Sequence, residues 1–137
     1  MRTPQFMAVV ILGGLLAHQL AEAHPPATTA KPTARVVSVA MTGEIVDPQC
    51  YFMHDARGQE HASCATRCAR GGQGLAFLDE QSGKVFPLIG ATHGASQNDK
   101  VLPLVGKRVA VRGVVFNKGQ DAVLQVQSVT EAKAKGR

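Results

Sequence analysis

The sequence predicts a mainly β domain with one short helix, arranged as a small five-stranded barrel. Three observations carry this reading. Apolar and polar residues alternate with the period of a half-buried strand in residues 35–45 and 108–115. The later apolar runs are separated by the turn sequences EQSG and NKGQ. Helix formers without strand alternation gather in a single window, residues 59–70.

Taken in order, the first strand begins at Arg35, with Val37, Val39, Met41 and Ile45 on one face and Ser38, Ala40, Thr42 and Glu44 on the other. Gly43 marks an expected bend or bulge. Asp47-Pro48 reads as the end of this strand, followed by an irregular stretch, QCYFMHDARG. The helix then spans 59–70 and stops at Gly71-Gly72, with Arg67 and Arg70 near its negative end. Residues 75–79 and 84–89 form a hairpin around EQSG, and Pro87 assigns the second of these strands to an edge or a bulge. Residues 90–106 read as an irregular connection. The last hairpin pairs a strand containing Val109, Val111 and Val115 with residues 123–129 across NKGQ. The β domain is thus expected over 35–131, with a Cys/His helix-loop insert, and residues 132–137 are expected to be a disordered tail.

The stretches VAMTGEIVD, LAFLDEQSGKVFPLIG and VGKRVAVRGVVFNKGQDAVLQVQSV resemble small bacterial periplasmic OB-fold proteins in their order of strands, glycines and turns. The resemblance implies an OB-like barrel. In that family the helix lies between the third and fourth strands, whereas the helix expected here falls between the first and second. A fold of this kind does not by itself imply an activity.

The N-terminus has the parts of a secretory signal peptide, expected over residues 1–23. Arg2 precedes the apolar run FMAVVILGGLL, and Ala21-Glu22-Ala23 supplies the small-x-small cleavage pattern before His24. The apolar run is too short for a comfortable membrane span, and the mature chain is expected to contain none. Residues 24–34, HPPATTAKPTA, read as a flexible leader. A periplasmic or secreted location follows from these features. The formal net charge is +5, but the basic residues are scattered. With no Trp and one Tyr there is little material for base stacking, which disfavours nucleic-acid binding.

All three cysteines, Cys50, Cys64 and Cys68, lie within one short window together with His61. On a helix, His61, Cys64 and Cys68 follow the i, i+3, i+7 rule and fall within an arc of about 60°. Cys50 reaches that face from the preceding loop. Cys50, His61, Cys64 and Cys68 are therefore the candidate metal ligands: three thiolates and an imidazole suit a tetrahedral zinc site, and soft sulfur equally accepts copper(I). Met53 and His54 are nearby as extra donors. The spacing Cys-x10-His-x2-Cys-x3-Cys matches no standard zinc-finger signature.

Two other chemistries stay open. Cysteines of exported proteins usually pair, so a disulfide from Cys50 to Cys64 or Cys68 would give a disulfide-stabilised binding or adaptor module with one spare thiol and no metal. Thiol redox catalysis is disfavoured, because the spacing is Cys-x3-Cys and Cys68 lies near the helix C-terminus, where the dipole opposes a thiolate. Asp47, Asp55 and Glu60 read as turn and helix-start residues, His93 as a loop residue, and His24 as part of the leader. Ser63 lacks a nucleophile elbow or partners. No catalytic constellation is evident, and a non-catalytic domain that binds a zinc or copper ion is expected.

Overall fold

The computed structural model describes residues 33–133. The expected signal peptide, His24 and most of the leader, and residues 134–137 of the tail, lie outside the described residues. The elements run β1 (Arg35–Val46), α1 (Pro48–His54), α2 (Ala62–Arg70), β2 (Ala76–Asp79), β3 (Val85–Pro87), α3 (Asn98–Val101), β4 (Arg108–Lys118) and β5 (Asp121–Glu131). Single 3-10 turns, Gln59–His61 and Leu102–Leu104, adjoin α2 and α3.

The strands form one antiparallel sheet in the order β3-β2-β1-β4-β5, curled into a half-barrel. β1 is the central strand because it is long enough to serve two partners. Arg35–Glu44 pairs with β4, while Gly43–Val46 pairs with β2. Curling brings the two outer strands together: Leu88, just past β3, makes a parallel bridge to Leu124 of β5, and the Ile89 N–H donates to the Leu124 carbonyl at 3.0 Å.

The inward residues are those the alternation selects. Ile45, Phe77, Val109, Val111, Val115, Leu124 and Val126 form the main core, with Val39 and Met41 packed against it. Gly43 belongs to this inward row and is no bulge. A Cβ there would lie 2.0 Å from the Leu78 carbonyl oxygen and 2.7 Å from the Phe77 ring, so the missing side chain lets β2 approach and the Phe77 ring fill the space. The irregularity falls instead between Arg112 and Gly113, in the β4–β5 pairing. Pro87 lies in β3, an outer strand of the sheet, as its missing N–H requires.

The expectation of one helix is corrected to three short ones. α2 with its leading 3-10 turn covers 59–70, as the sequence indicates, and Ala65 and Ala69 face the core. The other two helices fall in stretches read as irregular. Asp47-Pro48 does end β1, but it also starts α1: Asp47 is the N-cap and Pro48 occupies the first turn, where it needs no N–H donor. α1 ends at Asp55 in the left-handed conformation (φ 49°). Its Tyr51 packs on a small second cluster, Val46, Ala76 and Leu78, on the other face of the sheet.

α3 and the 3-10 turn after it lie between β3 and β4, within 90–106. Asn98 explains why this segment orders. Its Nδ2 donates to the Gln73 carbonyl at 2.8 Å and to the Ala69 carbonyl at 3.4 Å, and its Oδ1 accepts from the Leu75 N–H at 3.2 Å. One side chain thus ties the end of α2 and the start of β2 to α3.

Candidate metal centre

The candidate site is built where β1 ends. Asp47 is 1% exposed, and its Oδ1 accepts the backbone N–H groups of Gln49 at 2.9 Å and Cys50 at 3.2 Å. This cap fixes the first turn of α1 and with it the position of Cys50. The next ligand comes from the loop that follows. Glu44 of β1 accepts the Gly58 N–H, and the Gly58 carbonyl accepts the His61 N–H at 3.1 Å. Gly106 closes against the same point: at φ +73°, a Cβ there would lie 2.4 Å from the Gly58 oxygen and 3.1 Å from the Ala62 Cβ. The turn carrying His61 is thus gripped between β1 and the start of β4. Cys64 follows one turn later on α2.

These elements converge. One ligand atom each of Cys50, His61 and Cys64 lies within 4.8 Å of the other two, and all three residues are half-buried. The Nε2 atom of His61 is buried and has no hydrogen-bond partner. A buried imidazole nitrogen without a partner is costly in a purely structural histidine and is accounted for when it faces a ligand. Two thiols and an imidazole at this separation can close on a soft or borderline metal ion.

Cys68, the fourth predicted ligand, stands outside this close group. Burial, the Asp47 carboxylate and the neighbouring Cys64 together push the Cys50 thiol up to about 11. Burial and the Asp47 carboxylate raise that of Cys68 as well. A cation at the centre would reverse this balance, since thiolates are the ligand form.

The three cysteines are free, so the disulfide of the alternative reading is not formed. Met53 is 65% exposed. His54 and His93 are also exposed, and neither joins the close group. Asp55 caps the end of α1 and lies 3.7 Å from Arg57, and Glu60 is exposed on the 3-10 turn. The residue the sequence reading undervalued is Asp47. The N-cap pattern Asp-Pro ahead of a short helix was the available signal, and its role in placing Cys50 was not.

No protein-family model, curated protein or solved structure matches this chain. Among the described residues, no helix is long and apolar enough to cross a membrane.

Proposed function

We propose that this is an exported, non-catalytic protein whose OB-like β domain binds one zinc or copper ion. Cys50, His61 and Cys64 hold the ion, and Cys68 is the nearby donor for a fourth position. The observation that carries this reading is the convergence of three ligand atoms within 4.8 Å, Cys50 from α1 and His61 and Cys64 from the 3-10 turn and α2 that follow it. The unpartnered, buried His61 Nε2 supports it.

The OB-like assignment draws support from the strand order, from the meeting of β3 and β5, and from helical turns between the third and fourth strands, where the family carries its helix. Export rests on the pattern of the N-terminal residues. A zinc ion with four protein ligands would tie α1 and α2 to a small barrel and so stabilise the fold. A copper(I) ion in a site with fewer ligands would fit carriage or buffering.

Native mass spectrometry of the protein recovered from the periplasmic fraction tests the proposal. The expected species begins at His24 and carries one zinc or copper ion. A full-length cytoplasmic chain contradicts export, and a metal-free chain with a disulfide contradicts the metal site.

A further inference from the structure

Most edges of the curled sheet are guarded. β3 is short and carries Pro87. Along β5, the Leu124 carbonyl accepts the Ile89 N–H, and Lys100 Nζ donates to the Val126 and Gln127 carbonyls at 3.1 and 3.4 Å. The first half of β1 is different. Its pairing with β2 begins only at Gly43, so among the described residues no strand lies beside Arg35–Met41 on the side turned away from β4.

The backbone direction along this stretch is fixed at both ends. The Thr42 carbonyl accepts the Glu80 N–H from the β2 side, and the Arg35 carbonyl accepts the Asn117 side chain from the β4 side. Successive residues alternate, so Val36, Ser38 and Ala40 point their N–H and C=O groups out along the open edge. The side chains are bare as well. Val36 is 57% exposed, and the inward Val37, Val39 and Met41 are only half-buried, whereas Ile45 further along the same row is fully covered. No charge or proline lies between Val36 and Thr42 to discourage another strand.

We infer that this edge pairs with the same edge of a second copy of the chain, antiparallel, about a two-fold axis at Ser38. The open stretch is its own complement. Its midpoint is Ser38, so full pairing sets Val36 opposite the partner's Ala40, Val37 opposite the partner's Val39 and Arg35 opposite the partner's Met41. Apolar and β-branched side chains meet, and like charges do not. The added strand covers the half-buried row of Val37, Val39 and Met41. A contact of this kind closes on itself, so the bare edge is used up instead of nucleating longer assemblies. The inference is independent of the metal site.

Sedimentation equilibrium of the purified protein under reducing conditions, at up to about 200 µM, is expected to give twice the chain mass. Ser38→Pro removes an N–H that faces the open edge and spares the ladder to β4. It is expected to stay folded by circular dichroism and to raise the dimer dissociation constant at least about tenfold. Val36→Lys combined with Ala40→Lys sets like charges across the two-fold axis and is expected to give a monomer. Val36→Lys combined with Ala40→Glu sets opposite charges there and is expected to restore the dimer. These exposed positions decide the matter if Ser38→Pro does not fold. A wild-type monomer overturns the inference, and protection of its Val36, Ser38 and Ala40 amides from hydrogen exchange would assign the edge to another segment of this chain. A dimer that none of these substitutions alters lies on another surface and overturns it equally.

Discussion

The Asp47 carboxylate accepts the Cys50 backbone N–H at 3.2 Å, and its charge acts on the thiol of the same residue. One side chain therefore starts α1 and adds to burial in raising the thiol of a residue in the cluster. With two backbone donors on one oxygen, Asp47 has little freedom to move away.

The raised thiol, caused first by burial and then by the Asp47 charge, has a pH signature. The Cys50 thiol lies at about 11 in the folded protein, against an ordinary value of 9.0. An acid with a raised folded value contributes stability that is fully present below the unfolded value and lost as pH rises through the folded one. The denaturation midpoint of the metal-free protein is expected to fall between pH 9.0 and about 11, and to fall less in Cys50→Ser. Alkylation of Cys50 in the metal-free protein should be slow at neutral pH and accelerate over the same window. An equal fall in both proteins would show that Cys50 is not responsible.

Metal binding must run against the same protonation. Each coordinating thiol gives up its proton, so affinity for zinc(II) or copper(I) is expected to weaken as pH falls, with proton release on binding. Titrations in two buffers of different ionisation enthalpy measure that release.

Gly106 tests the grip on the His61 turn. Gly106→Ala combines an unfavourable positive φ with a collision against the Gly58 oxygen, and is expected to destabilise the fold by about 1–3 kcal/mol. Gly119 has a similar φ, +64°, with nothing within 4 Å of its built Cβ. Gly119→Ala should therefore cost less and leave metal affinity unchanged, whereas Gly106→Ala should weaken it. Thermal melts with parallel metal titrations check both.

Asn98→Ala removes two contacts at the end of α2 and leaves the Leu75 N–H without its side-chain acceptor. The expected loss is about 1–3 kcal/mol, read from denaturant unfolding. Hydrogen exchange should show the opening concentrated at the end of α2.

Much of this architecture was legible in the residues. Alternation located β1, β4 and β5, Gly71-Gly72 marked the end of α2, and helical spacing aligned His61 with Cys64. What escaped reading depends on contacts between distant residues. Gly43 was expected to mark a bend or bulge, and only tertiary pairing shows that its missing side chain instead makes room for Phe77 and the β2 backbone. α3 is four residues long and is tied down by Asn98 contacts more than twenty residues away in sequence, so no local period could reveal it. Cys68 satisfied the helical rule, but a face shared on α2 does not disclose that it lies outside the close group of Cys50, His61 and Cys64.

The most direct measurement of the central claim is an anaerobic titration of the reduced protein with zinc(II) and copper(I) against a chromophoric chelator, repeated for Cys50→Ser, His61→Ala and Cys64→Ser. One ion per wild-type chain is expected, with each substitution weakening binding by more than the roughly 10–100-fold typical of losing an outer partner. A wild type that binds no ion, or three variants that bind as it does, would contradict the account.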